Sequence, residues 1–283
     1  MPPLIVCDLQ GGIGNQLFQV ATTYSLAKRL GTEVVLLDGQ FGDCGQGSHP
    51  SKYYDTLFRK IRRVKQIPGP VHPYRETQWA AYDLETDVRS TLPEGAGTLW
   101  MKGYFQSDRY FEAGLKTLFT PEEGIRNYLK RTTDMATRYP ALFAESSDAC
   151  FIGVRRGDYL THAHIHNPCG MDYYKKAMGL VPATQYYIAS DDMAWCKANF
   201  VGDQYVFFDI EDDLIQLFVG CLFKNYIIGN SSYHWWMSFL SVSETPTLVA
   251  PDKWLFGPGV KWEQYSSIYR KGMVVVERAI EIL

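Results

Sequence analysis

Short apolar runs alternate with helical periodicity from one end of this chain to the other, and no other pattern restricts the fold as much. Residues 4–9, 33–37, 150–154, 186–189, 205–208, 226–229 and 247–250 read as buried strands, near-continuous in apolar residues. Between them, 15–30, 121–139, 172–180, 191–200, 212–223 and 233–240 carry helical spacing. Strands apolar on both faces need helices on both faces, which implies parallel α/β sheets. The alternation runs through both halves, so we expect two Rossmann-like, doubly wound domains facing across a cleft. Their expected extents are 1–145 and 146–283, and at 283 residues with 46% hydrophobic content each can bury a core. The Gly/Ser-rich stretch 39–50 reads as a mobile loop, and 67–91 as an irregular segment able to shape a cleft.

Three polar clusters fall at strand ends. NSSYHWW (230–236) begins where the 226–229 strand stops and a helix starts. Asn230, Ser231 and Ser232 offer N-cap side chains, and the helix start offers backbone N–H groups to an anion, commonly phosphate. The plainer reading is that Ser231 caps the helix and the tryptophans are core. VRRGDY (154–159) places Arg155 and Arg156 after the 150–154 strand. Adjacent guanidiniums there call for anionic partners, and a diphosphate suits their bidentate forks. Asp158 could orient one of them from behind, and Gly157 allows a sharp turn. An exposed turn with a surface ion pair is the plainer reading here, and an integrin-type Arg-Gly-Asp signal a third.

GGIGNQ (11–16) follows the first strand and opens the first helix. Gly12 and Gly14 suit a phosphate turn, and Asp38 at the second strand's end partly completes a dinucleotide fingerprint. The third glycine position, however, holds Leu17. Asn15 and Gln16 are extra to a plain phosphate turn and read as hydrogen-bonding groups aimed at a polyol or phosphate. An NAD-dependent oxidoreductase using Gly11 to Gly14 is therefore an alternative, weakened by the missing glycine.

Composition narrows the classes. A net charge of −3 argues against nucleic acid or anionic membrane as a general partner. The basic run 59–65 reads as a solvated face. No stretch approaches the roughly 18 apolar residues of a membrane span, and Met1-Pro2-Pro3 leads straight into a strand, so a cytoplasmic location is expected. Six cysteines without CxxC spacing read as free, buried thiols, and Asn230-Ser231-Ser232 as a sequon on paper only. His162, His164 and His166 would share one face of an extended strand and could gather zinc, but a solvent-facing loop is the favoured reading.

Taken in order, these motifs resemble the alpha-1,2-fucosyltransferases, the inverting GDP-fucose enzymes of the bacterial O-antigen and blood-group H type. GGIGNQLFQVA (11–21), GYFQSDRYF (103–111), VRRGDY (154–159), MDYYKKAM (171–178), Ser190-Asp191-Asp192, NSSYHWW (230–236) and APDKWLF (250–256) carry the resemblance across nearly the whole chain. It implies a GT-B-like fold and transfer of L-fucose from GDP-L-fucose to the 2-hydroxyl of a galactose-type glycan acceptor, with inversion. The N-terminal domain then takes the acceptor side and the C-terminal domain the donor. Donor-site candidates are Gly12, Gly14, Asn15, Gln16, Arg155, Ser190, Asp191, Asp213, Asn230, Ser231 and Ser232. Catalytic candidates are Arg155 first, then Arg156, with Asp158 and Asn15.

Asp213 could accept from guanine N1–H and N2–H together; the alternative is that Asp212 and Asp213 cap the next helix. No Asp-x-Asp occurs, the nearest being Asp209-Ile210-Glu211, so no cofactor or metal is expected and the arginines are expected to take the charge of departing GDP. Asp8 is a conceivable base. Another GDP-sugar or acceptor hydroxyl remains an alternative. The chain departs from the family at Gly153, where a histidine implied to touch the nucleotide is usual. A neighbouring side chain or water must fill that place, and Gly153→His is expected to clash with the occupant or, failing that, to tighten GDP binding.

Overall fold

The computed structural model describes residues 3–38, 48–67, 69–144 and 148–279. The chain forms two compact units, Met1–Pro121 with Glu263–Arg270, and Glu122–Trp262 with Lys271–Leu283. Each is an α/β unit built on its own parallel sheet.

In the first unit, β1 (Leu4–Cys7), β2 (Val34–Leu37), β3 (Arg62–Val64), β4 (Val71–Arg75) and β5 (Thr98–Lys102) pair in the order β3-β2-β1-β5-β4. Every pairing is parallel. The central strands are buried, with Val6 packed on Val35 and Leu37. The edges are what the sequence made hard to see. Part of the basic run 59–65, expected to be a solvated face, is edge strand β3: Arg62 and Arg63 are exposed, and Arg62 forks onto Glu33 at 2.9 Å. β4 carries Pro73, which a sheet tolerates at an edge. The 67–91 stretch is thus more ordered than expected. It contains β4 and the helix Leu84–Thr91, capped by Asp83 accepting from the Thr86 N–H at 3.1 Å. Residues 39–47 of the expected loop lie outside the described residues.

In the second unit, β6 (Ala149–Val154), β7 (Gln185–Ser190), β8 (Tyr205–Phe207), β9 (Asn225–Ile228), β10 (Thr247–Pro251) and β11 (Val274–Val276) pair in the order β11-β10-β9-β6-β7-β8, again all parallel. The chain runs outward from β6 to β8, then returns to β9 on the other side of β6. The reversal leaves a crevice at the carboxyl ends of β6 and β9, where doubly wound sheets bind ligands. Cys150, Ile152 and Val154 face one layer with Tyr173, Tyr174, Cys196 and Phe200. Phe151 faces the other, against Phe208, Phe223, Tyr226 and His234.

Two expectations need correction. The helix read over 121–139 is three short ones, Ile125–Thr132, Met135–Arg138 and Pro140–Phe143. Thr132 and Thr133 hydroxyls bond back to the carbonyls of Tyr128 and Leu129, and Thr133 is extended, so the Thr-Thr-Asp run stops the helix. The join between units is at 121/122 rather than 145/146, because these helices pack on the second sheet's layer. Tyr128 meets Phe218 edge-on at 5.4 Å and Arg138 donates to the Asp209 carbonyl at 2.6 Å. Glu263–Arg270 returns to the first unit, where Ser107 donates to the Ser267 carbonyl and Ala81 N–H to the Ser267 hydroxyl, both at 2.9 Å. Among the described residues, no helix is long and apolar enough to cross a membrane.

Candidate active site

The crevice of the second unit is flanked by the loop after β6, which carries the arginines, and the turn after β9, which carries Asn230 to Ser232. Tight packing of the strand ends brings the two together: the Gly229 N–H donates to the Gly153 carbonyl at 2.8 Å.

Arg155 and Arg156 follow directly on the strand and take different partners. Arg155 Nη2 meets Asp158 at 2.5 Å and Nη1 meets Asp191 at 2.9 Å, and its guanidinium lies 5.2 Å from the Tyr159 ring. Its side chain keeps 28% exposure, enough to reach a ligand. Arg156 is 6% exposed, stacked 4.2 Å over Trp195 and paired with Asp192 at 3.3 Å. The two arginines therefore do different work. Arg155 is the reachable one, and Arg156 clamps the loop to the helix Met193–Asn199. Asp158 braces Arg155, as its spacing suggested.

Asp191 supports both arginines, through Arg155 Nη1 and, at 2.8 Å, the Arg156 backbone N–H. It also explains Gly157, where a Cβ would stand 2.5 Å from Asp191 Oδ2. Ser190 accepts from the Asp192 N–H at 2.9 Å, and Asp192 caps the following helix at the Trp195 N–H. Asp192 and Trp195 are site-shaping residues that strand-end reasoning left without a role.

The 230–232 turn differs from the simplest expectation. Asn230 is 1% exposed, and its Nδ2 donates to the carbonyls of His166 at 2.5 Å and Trp254 at 3.0 Å. It pins the turn rather than presenting its amide, and as a glycosylation sequon it is inaccessible. Ser231 stands at the N-cap of Ser232–Phe239 with no side-chain cap bond, against the plainer reading in which it only caps the helix. Among the described residues its hydroxyl is left for something other than the helix. Asp212, not Asp213, caps Asp213–Gly220, accepting from Leu214 and Ile215 at 2.9 Å. The Asp213 carbonyl accepts from Tyr233 at 2.6 Å, tying that helix to Ser232–Phe239.

The space beside Gly153 is taken by His234. A Cβ there would lie 2.4 Å from His234 Nδ1, so the expected clash is what the geometry gives for any side chain at 153. Burial, with a smaller contribution from Arg155, brings His234 down to about 3, so the ring is neutral.

The histidines 162–166 form a helical turn, Ala163–His166, not an extended face. His166 stacks on Tyr159 at 4.2 Å, and burial lowers it to about 4. No group of three His, Cys, Asp or Glu side chains able to hold an ion occurs among the described residues. Cys7, Cys150, Cys169, Cys196 and Cys221 are free and buried, as expected; Cys44 lies outside the described residues.

In the first unit, Gly11 takes a φ of +70°, and a Cβ there would meet Asn15 Nδ2 at 2.6 Å. Gly12 is the N-cap of Ile13–Leu30, and its carbonyl accepts from the N–H groups of Asn15 and Gln16; Gly14 is buried in the first turn. The two carboxamides diverge. Gln16 is fully buried and closes its own turn by donating to the Gly11 carbonyl at 2.9 Å, correcting the expectation that it points outward. Asn15 is partly exposed, and its Oδ1 accepts from Gln106 at 2.7 Å. Asp8 pairs with Lys102 at 3.3 Å.

Glu76, which the sequence did not single out, closes the carboxyl edge of β4. It accepts from the N–H groups of Tyr104 (2.7 Å) and Phe105 (3.0 Å), holding Phe105 at a φ of +50° just before Gln106. Burial pushes its carboxyl up to about 7 despite those two bonds. Its position at a strand end was the available signal, hidden because β4 reads as irregular.

Comparison with known proteins agrees with this architecture. The model of the family described as glycosyl transferase family 11 matches residues 7–277. The O-antigen biosynthesis glycosyltransferase WbnK of Escherichia coli is 27% identical over 285 residues, covering 88% of this chain and 94% of that protein. An alpha-1,2-colitosyltransferase of Escherichia coli is 23% identical over 276 residues, covering 89% and 92%. Among solved structures, the NodZ alpha-1,6-fucosyltransferase co-crystallized with GDP aligns with a TM-score of 0.53 at 13% identity, covering 85% of this chain and 93% of that one. That likeness is one of fold, GT-B-like, and the family match displaces the oxidoreductase alternative. With a match over nearly its whole length, this chain belongs to glycosyl transferase family 11, the alpha-1,2-fucosyltransferase family.

Proposed function

We propose that the protein transfers L-fucose from GDP-L-fucose to the 2-hydroxyl of a galactose-type acceptor, with inversion and without a metal ion. The observation that carries this reading is the pairing of a braced, reachable guanidinium, Arg155, with the 230–232 helix start at the crevice between β6 and β9. Both are groups for a diphosphate.

In the reaction, the bond between fucose C1 and the diphosphate oxygen breaks with its electron pair leaving on GDP. The acceptor oxygen bonds C1 from the opposite face and passes its proton to water. About one further negative charge develops on the diphosphate, and Arg155 together with the helix N–H groups stabilises it in place of a cation. Asp158 and Asp191 hold the guanidinium in orientation and compete with the diphosphate for its fork. Arg156, Ser190 and Asn230 act by holding the loops. Ser231, Ser232 and Asp213 are assigned to the donor, Asp213 to the guanine edge. Gly12, Gly14, Asn15 and Gln16 form a second turn assigned to phosphate or sugar, with Gln16 acting through the turn it closes.

A GDP-linked relative of fucose is the second reading, favoured by the colitosyl relative. Thermal shift with GDP, UDP, ADP and NAD tests the shared part. Stabilisation by GDP above the other three supports both sugars; stabilisation by UDP or NAD alone contradicts both.

A further inference from the structure

Gly153 sits one residue from the end of β6, a strand buried throughout. Its backbone is not in the left-handed region, so conformation does not call for glycine there; space does. A Cβ would stand 2.4, 2.5 and 2.9 Å from Nδ1, Cγ and Cε1 of His234, so the imidazole lies across the strand where a side chain would be. The ring has little freedom to yield. It is 4% exposed and packs against Phe151 with centroids 5.6 Å apart at 62°. Its Nδ1 has no hydrogen-bond partner among the described residues, so packing fixes the ring's place.

This contact is one of the joins between the two arms of the crevice. Gly153 is two residues before Arg155, and His234 is two residues after Ser232, in the first turn of its helix. The strand ends are joined by the Gly229–Gly153 hydrogen bond and the loops by Tyr159 on the Asn230 carbonyl, while the first turn of the helix packs on β6 through the imidazole. A thinner residue at 234 lets the helix start sink toward β6, and a bulkier one at 153 pushes it away. Either change alters the separation between the guanidinium and the helix N–H groups. A ligand spanning both arms feels that separation, whereas one touching a single arm does not.

We propose that His234 is a positioning residue, wedged on Gly153 so that the spacing between Arg155 and the Ser232–Phe239 helix start fits a diphosphate rather than a monophosphate. This rests on the reading that the two arms together hold the diphosphate of GDP.

The test is calorimetry of GDP and GMP binding to wild type, His234→Ala, Gly153→Ala and the double variant, with a melting temperature for each. Wild type is expected to prefer GDP. Each single variant should weaken GDP by about tenfold or more, the loss expected when a hydrogen bond to a charged group is mis-set, while GMP binding changes far less. In the double variant the methyl group introduced at position 153 enters the vacated space, and the GDP-to-GMP ratio should recover toward wild type. Equal losses for GDP and GMP, or single variants that keep the wild-type ratio, overturn the spacer role. If Gly153→Ala alone fails to fold, His234→Ala and the double variant still decide. Wild type that binds neither nucleotide overturns the diphosphate reading itself, and this proposal with it.

Discussion

The Tyr159 hydroxyl donates to the Asn230 backbone carbonyl at 2.9 Å, fastening the arginine loop to the turn after β9. The same ring lies 5.2 Å from the Arg155 guanidinium and stacks on His166, whose carbonyl accepts from the Asn230 amide. Removing that hydroxyl leaves the ring contacts and unties the arms. Tyr159→Phe should cost about 1 kcal/mol of stability. Its transfer rate should fall several-fold, because misplacement of the order of 1 Å is felt strongly in catalysis. Denaturant unfolding with initial rates checks this. A variant as stable and as fast as wild type shows that the tie has no bearing on the site.

On the proposed mechanism, Arg155 is the group on which the chemistry most depends. Arg155→Ala should lower kcat by on the order of 10²–10³, the usual loss for one group stabilising developing charge. Arg155→Lys should not rescue it, because a point charge cannot hold Asp158 and Asp191 while also reaching a diphosphate. Steady-state kinetics with melting temperatures separates this from misfolding, and activity within a few-fold of wild type contradicts it.

Asn230 divides a pinning role from a ligand role. Its Nδ2 serves two buried carbonyls, so Asn230→Asp would face them with a carboxylate. The expected loss is about 3–5 kcal/mol, typical of a buried charge left without its partner. If the amide instead served only the donor, unfolding would be unchanged and GDP affinity alone would drop.

Glu76 gives a pH signature. Its carboxyl rises from 4.5 in the unfolded chain to about 7 when folded, so between those values the native state holds a proton that the unfolded state has released. Its contribution to stability therefore falls as pH rises from 4.5 to 7 and is level above that. His166 and His234, lowered to about 4 and about 3, act in the opposite sense, losing stability as pH falls below 6.5. The comparison is thus between wild type and Glu76→Gln. Melting temperatures from pH 4.5 to 8 should show the wild type losing stability relative to the variant up to pH 7. Parallel curves contradict the placement of Glu76.

Legibility in the sequence followed burial. The β6, β7 and β9 strands are apolar through their interiors, and their positions were readable to within a residue or two at each end. β3, β4 and β5 were not, because edge strands carry arginines and a proline and β5 mixes Thr, Trp and Lys. The site shows the same division. Arg155 with Asp158 follows from local spacing, an i,i+3 pair. Arg156 against Trp195, Asn230 against Trp254 and His234 against Gly153 join residues 39, 24 and 81 apart, set only by sheet order and helix packing. The missing side chain at Gly153 was visible; the imidazole filling its place was not.

The central claim is metal-free transfer from a GDP-sugar through the arginine-bearing crevice of the second unit. Its most direct measurement is transfer from GDP-L-fucose to a galactoside in excess EDTA, followed by NMR of the product and by GDP release. The account predicts undiminished turnover, one GDP released per product, and an anomeric configuration opposite to the donor's at the acceptor 2-oxygen. Activity abolished by the chelator and restored by magnesium or manganese, or a product retaining the donor's configuration, would contradict it.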